Sequence, residues 1–159
     1  MTAQFDKLLP TLVRSHVDFI LIGGVAAVVH GSARVTYDVN VCYARTPVNI
    51  AQLVRALESS HPYLRGAPPG LPFVWDDRTI RSGLNFTLTS DLGDLDLLGE
   101  VIGGGGYADL LPQTIEIEAF QVRFRCIDLP TLIGLKRAAR RPRDLEALAE
   151  LQALQEEKG

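Results

Sequence analysis

Four polar side chains stand at alternate positions in two short apolar segments, Asp38 and Asn40 in DVNV and Asp94 and Asp96 in DLDLL. Side chains two residues apart on a strand point to the same face, with Cα atoms roughly 6.5 Å apart. If the two segments are neighbouring strands, their polar side chains form one cluster. Carboxylates crowded in this way repel one another unless a cation lies among them. Paired Mg²⁺ ions about 3.5–4 Å apart serve this purpose where phosphoryl or nucleotidyl groups are transferred.

A glycine pair, Gly23-Gly24, follows the apolar segment Phe19 to Ile22 and precedes a short helical segment. Glycine lets the backbone approach a ligand closely, and the start of a helix presents free N–H groups to an anion. Taken alone, the pair is more typical of a tight strand-to-helix turn. The order of the segments favours a phosphate site: strand, glycine pair, short helix, Asp-x-Asn on a strand, then Asp-x-Asp on a hairpin.

Basic residues are concentrated near the C-terminus of a chain whose net charge is −3: Lys136, Arg137, Arg140, Arg141 and Arg143. Such a group is either a solvated helix face or a surface that contacts phosphate or RNA. Any nucleic-acid partner must be attracted by a local patch of this kind, because the net charge provides no general attraction.

Two further residues, Arg34 and Thr36, come just before Asp38 and could also contact phosphate. Arginine is suited to bidentate contact with phosphate oxygens. The alternative is that Arg34 holds its own loop in place.

The periodicity of apolar residues and the turn residues predict a mixture of helices and strands. The predicted helices cover residues 3–16, 25–30, 47–59, 128–139 and 142–155, and the predicted strands cover 19–22, 36–43, 84–89, 94–98, 114–118 and 122–127. Residues 60–76 are rich in Pro and Gly and are predicted to form an irregular loop, and the last residues, 155–159, to fray. This order predicts an α+β (mixed α/β) fold with a small mixed sheet flanked by helices.

The length of 159 residues suits one domain, with a core over residues 18–127 and C-terminal helices over 128–155. Cys42 and Cys126 lie in predicted strands without the spacing of a zinc site, so we expect buried thiols in a reducing compartment. The sequence has neither a secretory signal pattern nor an apolar run long enough to span a membrane. We therefore expect a cytoplasmic protein without membrane association.

With these motifs in place, the chain resembles the nucleotidyltransferase superfamily. Members carry an apolar residue with Gly-Gly or Gly-Ser, a spacer, and Asp-x-Asp or Asp-x-Glu; the corresponding segments here are Ile22-Gly23-Gly24 and Asp38-Val39-Asn40-Val41. The stretches GGVAAVVHGSARVTYDVNV and LIGLKRAARRPRDLEAL look like the minimal, AbiEii/MNT-type branch, which is linked to toxin–antitoxin systems.

The resemblance implies a nucleoside triphosphate (NTP) as substrate, a two-metal Mg²⁺ site and an acceptor hydroxyl on RNA, such as tRNA, or on a protein. It also implies that an antitoxin protein is a partner. Gly23 and Gly24 would hold the triphosphate, and Arg34, Thr36 and Lys136 would be further nucleotide-binding residues.

The resemblance likewise assigns the polar cluster. Asp38 would bind metal, and Asp96 would be the third carboxylate, which binds metal and orients or activates the attacking hydroxyl, with Asp94 as second choice. The second metal-binding and catalytic carboxylate should stand at position 40, where this chain has Asn40. An amide oxygen can ligate Mg²⁺ but carries no charge to balance a second divalent ion. We therefore expect catalysis to be severely impaired or absent.

Three functions remain open on this basis. The first is Mg²⁺-dependent transfer of a nucleoside monophosphate from an NTP to RNA or protein. The second is a non-catalytic module of the same fold that binds nucleotide, RNA or a protein, which Asn40 favours. The third is transfer to a small molecule, which normally requires an additional substrate-binding region.

Overall fold

A seven-stranded mixed β-sheet forms the centre of the computed structural model, which describes residues 3–158. The strands are β1 Phe19–Ile22, β2 Asp38–Tyr43, β3 Tyr63–Leu64, β4 Asn85–Thr89, β5 Asp94–Leu98, β6 Thr114–Ala119 and β7 Val122–Ile127. Their order in the sheet is β3-β4-β5-β2-β1-β7-β6. The pairs β2–β5 and β1–β7 are parallel, and the other pairs are antiparallel.

Seven α-helices accompany the sheet within the described residues: α1 Phe5–Arg14, α2 Gly23–Val29, α3 Pro47–Leu57, α4 Asp77–Ser82, α5 Tyr107–Leu110, α6 Leu129–Ala139 and α7 Pro142–Lys158. Two of the helices that begin at or next to a proline, α3 and α6, have side-chain caps. Thr46 accepts a hydrogen bond from the Asn49 backbone N–H at 3.2 Å, and Asp128 accepts one from Thr131 at 2.9 Å. The predicted α+β fold with a mixed sheet is confirmed.

Several short elements were not predicted, because their evidence is not periodic. The two residues of β3 lie in the Pro- and Gly-rich segment and are strand only because they pair with β4. Helix α4 has six residues, fixed by the Asp76 cap on Thr79 at 2.8 Å and by fully buried Ile80. Helix α5 has four. At the C-terminus α7 continues to Lys158, so the prediction that residues from Gln155 onward fray is wrong within the described part.

Strand β1 is the most buried strand of the sheet, because it lies between β2 and β7 and all four of its side chains are buried. Burying an apolar side chain of this size stabilises a fold by about 1.5–3 kcal/mol. In β2 only one face is buried over the first four residues, where Val39 and Val41 are fully buried. This alternation leaves one face of β2 available to polar side chains.

The two cysteines lie in this core. Cys42 and Cys126 are free and buried, and burial raises the pKa of each thiol to about 12. Both therefore remain protonated at neutral pH, as expected for small apolar core residues.

Helix α7 fixes the segment that connects α2 to β2. Glu150 accepts hydrogen bonds from the Ser32 hydroxyl at 2.5 Å and from the Ala33 backbone N–H at 3.1 Å. The first of these bonds, with a contribution from the second, lowers the pKa of Glu150. Arg34 forms a 3.6 Å ion pair with Glu146 on the same helix. The position of the α2–β2 connection thus depends on α7.

No helix within residues 3–158 has the length and apolar character needed to cross a membrane.

Asp144 joins α6 to α7 and is fully buried. It accepts hydrogen bonds from Lys136 Nζ at 3.2 Å and from Arg141 Nε at 2.7 Å. Burial acts to raise the pKa of Asp144, but the hydrogen bonds and charges of Arg141 and Lys136 outweigh it and hold the pKa below its ordinary value. This carboxylate is therefore ionised in the folded protein.

We expect Asp144→Asn to lower the free energy of unfolding by about 2–3 kcal/mol at pH 7, because Lys136 loses its buried counter-charge. A depressed folded-state pKa contributes stability that is complete above the unfolded value of about 3.9 and is lost as pH falls through the folded value. The difference between the two proteins should therefore shrink in strong acid. Urea denaturation across this pH range measures both effects.

Glu146→Gln on the same helix is the control for this experiment. Its ion pair with Arg34 joins side chains that are 70% and 46% exposed, so the change should stay within about 0.5 kcal/mol. Equal losses in the two variants would contradict a specific role for Asp144.

Candidate functional site

The parallel pairing of β2 with β5 brings the four predicted polar residues together. Asp38 lies opposite Asp94, and Asn40 lies opposite Asp96. All four are partly exposed, whereas the alternate residues Val39 and Leu95 are buried on the other face. Adjacent strands are separated by about 4.8 Å, so three carboxylates and one amide share a small area of one sheet face.

The glycine pair lies at the edge of this polar cluster. Ile22 pairs with Asn40, so the turn that follows β1 is beside the Asn40 side chain. Gly23 has a φ of +70°, and a Cβ there would collide with Asn40 Oδ1. A Cβ at Gly24 would lie 2.7 Å from the Thr36 hydroxyl oxygen. Both positions therefore require glycine, because backbone and side chains approach so closely.

Asn40 connects two of the carboxylates through its amide nitrogen. Nδ2 donates to Asp96 Oδ2 at 2.6 Å and more weakly to Asp38 Oδ2 at 3.4 Å. The opposite orientation of the amide would direct its oxygen at two negative groups, so electrostatics favours the orientation observed. In this arrangement Asn40 acts as a hydrogen-bond donor, a function that a carboxylate at position 40 would not have.

Arg65 is a member of the cluster that the sequence did not reveal. Its guanidinium makes ion pairs with Asp96 at 2.8 Å and Asp94 at 3.3 Å, and lies 3.9 Å from Asp38. Arg65 directly follows β3, and only the long-range pairing of β3 with β4 brings it to the site. An isolated arginine in a Pro- and Gly-rich segment carries no periodic or motif signal.

The electrostatic environment of Asp96 reflects these neighbours. Burial, together with the charge of Asp38, raises the pKa of Asp96, while Arg65 opposes the shift. Only 20% of its side-chain surface is exposed. The positive charge of Arg65 therefore helps to keep Asp96 ionised.

These contacts bear on whether a pair of metal ions fits the site. Both Asp96 oxygens already accept hydrogen bonds, Oδ1 from Arg65 and Oδ2 from Asn40. Within residues 3–158, no group of three or more His, Cys, Asp or Glu side chains is arranged to hold a metal ion. With an amide nitrogen directed at the carboxylates and a guanidinium among them, the residues as arranged do not fit two divalent cations.

The remaining predicted nucleotide-binding residues lie in different surroundings. Thr36 is next to Gly24, and its hydroxyl donates to the Asp38 carbonyl at 3.2 Å. Arg34 faces Glu146, and the ammonium of Lys136 contacts Asp144 with 18% of its side chain exposed. Nucleotide binding by these residues stays a prediction, and for Lys136 it would compete with the contact to a buried carboxylate.

The other basic residues of the C-terminal group are accessible. Arg137, Arg140 and Arg143 are exposed and form no ion pair with another described residue. Arg141 is 54% exposed and also contacts Asp144.

No protein-family profile matches the chain, and no curated protein matches its sequence. Solved structures do match its fold. One of them is the crystal structure of the lincosamide antibiotic adenylyltransferase LnuA with lincomycin bound, with a TM-score of 0.63 and 14% sequence identity. The match covers 95% of this chain and 96% of that chain. The chain therefore has a nucleotidyltransferase-like fold.

Proposed function

We propose that this chain is a nucleotidyltransferase-type domain that binds an NTP, and that its transfer of a nucleoside monophosphate to a hydroxyl is impaired or lost. The observation that carries the proposal is the position of Asn40 between Asp38 and Asp96, beside the glycine pair. The site keeps the framework for such a transfer but has an amide where a carboxylate is expected.

The glycine pair is the proposed binding site for the triphosphate. Gly23 and Gly24 bring the backbone of this turn against the Asn40 and Thr36 side chains, which occupy the space that a Cβ would take. The proposed ligands of the triphosphate are the backbone N–H groups of this glycine turn. The full-length match to LnuA, an adenylyltransferase by its description, supports an NTP as the ligand.

The carboxylates are the proposed reaction centre. In nucleotidyl transfer a hydroxyl oxygen attacks the α-phosphorus, a new P–O bond forms, and pyrophosphate leaves with the electrons of the broken P–O bond. Asp96, with its raised pKa, is the proposed group that orients the hydroxyl and accepts its proton. Divalent cations such as Mg²⁺ supply charge neutralisation in reactions of this class. In this chain, Asn40 and Arg65 occupy the oxygens of Asp96 that would otherwise be available to such an ion.

The acceptor is proposed from the AbiEii/MNT-type resemblance, as a hydroxyl on RNA or on a protein. The exposed Arg137, Arg140 and Arg143 provide a basic surface compatible with RNA. A role as the toxin of a toxin–antitoxin pair, with an antitoxin as partner and a cytoplasmic location, is part of the same proposal.

A second candidate function is a binding module that holds nucleotide, RNA or a protein without turnover. Two observations favour it: the amide at Asn40, and the guanidinium of Arg65 that already neutralises the carboxylates. The two candidates differ in whether restoring one carboxylate restores transfer.

The first experiment compares the natural chain with Asn40→Asp in the presence of labelled NTPs, Mg²⁺, total RNA and a protein extract. We expect the variant to transfer label on the order of 100-fold faster, because preorganised charge at a phosphoryl-transfer site contributes this much. The labelled fraction identifies the acceptor, and growth arrest on expression of the variant supports the toxin proposal.

Asn85→Asp is the control, since Asn85 lies exposed in β4 and its Oδ1 accepts hydrogen bonds from the Gly99 and Glu100 backbone N–H groups rather than contacting the cluster. If the natural chain and Asn40→Asp both bind nucleotide but neither transfers label, the impaired-enzyme proposal is rejected and the binding module remains. Fast transfer by the natural chain would show that Asn40 does not impair the site.

A second experiment concerns the glycine pair. Gly24→Ala should weaken NTP binding by at least about tenfold, because the added methyl would lie 2.7 Å from Thr36 Oγ1 and displace it. Isothermal titration calorimetry with each NTP measures the dissociation constant and identifies the nucleotide preferred.

Gly134→Ala is the matched control. Gly134 lies in α6, and a Cβ there would meet nothing within 4 Å. Alanine in a helix is favoured over glycine by about 0.5–1 kcal/mol, so this variant should be at least as stable and bind NTP normally. Unchanged binding by Gly24→Ala would place the nucleotide elsewhere.

A further inference from the structure

Hydrogen bonds to main-chain carbonyls hold Arg65 in place, in addition to its contacts with the carboxylates. Its Nε and Nη2 both donate to the Leu88 carbonyl, at 3.2 and 2.8 Å, and its backbone N–H donates to the Thr87 carbonyl at 3.0 Å. The side chain is only 28% exposed. Ordering a long arginine side chain costs conformational entropy, so exposed arginines in weak ion pairs usually stay mobile. The hydrogen bonds to β4 distinguish Arg65 from such a residue.

From this anchored position the guanidinium contacts carboxylates from both strands of the site. Its three nitrogens lie nearest Asp96, Asp94 and Asp38, at 2.8, 3.3 and 3.9 Å. Asn40 supplies the remaining donor, on Asp96 Oδ2. Within the described residues, no buried side-chain nitrogen or oxygen lacks a hydrogen-bond partner. Each of the three carboxylates thus has the positive charge of Arg65 within 4 Å.

We infer that Arg65 is an internal counter-cation, which takes the place of a divalent metal ion among Asp38, Asp94 and Asp96. A divalent ion gains these oxygens only by displacing a guanidinium that is hydrogen-bonded to the Leu88 carbonyl of β4, so the natural chain should be stable without metal and should bind it weakly. Removing the guanidinium leaves three carboxylates to repel one another, and stability should then depend on a divalent ion. This inference concerns the same carboxylates as the proposed function but does not require nucleotide transfer.

The experiment measures the melting temperature with EDTA and with increasing Mg²⁺, at an ionic strength matched with KCl. The natural chain should show no shift caused by Mg²⁺. Arg65→Gln should melt lower in EDTA and rise by about 3–6 °C when Mg²⁺ reaches tenfold its dissociation constant. Arg55→Gln, on the exposed side of α3, should behave as the natural chain does.

The double variant Arg65→Gln/Asp96→Asn tests whether the shift arises at the cluster. It removes a positive and a negative group together, so we expect it to fold and to lose the Mg²⁺ shift. Equal Mg²⁺ shifts in the natural chain and in Arg65→Gln would overturn the inference. So would a shift that persists in the double variant, or the absence of any shift in folded Arg65→Gln.

Mn²⁺ binding to the natural chain provides a readout that does not depend on the variants folding. Electron paramagnetic resonance distinguishes free from bound Mn²⁺. With Mn²⁺ and protein at equal concentration, we expect the ion to remain free. Stoichiometric binding that competes with Mg²⁺ would show that Arg65 does not occupy the place of a metal, whether or not the chain transfers nucleotide.

Discussion

Repulsion among carboxylates on a parallel strand pair is the constraint on which the rest of this site depends. The β2–β5 register sets Asp38 opposite Asp94 and places Asp96 opposite Asn40, on the exposed face of a sheet whose other face is core. Such a cluster is stable only with positive charge or hydrogen-bond donors in its midst. Here the Asn40 amide and the Arg65 guanidinium provide both.

This balance links the fold to the proposed function. The nucleotidyltransferase-like sheet still places a glycine turn beside the cluster, and α7 still holds the segment that carries Thr36. At the centre of the site, hydrogen-bond donors face the carboxylates. Because Arg65 supplies positive charge to the carboxylates, we expect the site to fold without a bound ion. We propose that the same neutralisation weakens any chemistry that needs a strongly negative pocket.

The sequence predicted the parts of the site that local pattern determines. Alternating polar and apolar residues located Asp38, Asn40 and Asp96 on strands, and the glycine pair located the turn beside them. The sequence did not predict that Arg65 lies at the site, because the two-residue strand β3 before it exists only through pairing with β4. The sequence also did not predict that Lys136 contacts Asp144, because a lysine and an aspartate in a sequence do not indicate a buried ion pair between two helices. Contacts between distant segments are known only from the fold, whereas strands with an alternating polar and apolar pattern can be located from the sequence.

The most direct test of this account is a crystal structure of the natural chain with a non-hydrolysable NTP analogue and Mn²⁺, recorded with anomalous scattering to locate the metal. The account predicts the triphosphate at Gly23-Gly24 and Arg65 still in contact with Asp94 and Asp96, with no pair of Mn²⁺ peaks between the carboxylates. Two Mn²⁺ ions bound by Asp38 and Asp96, with Arg65 displaced, would contradict it.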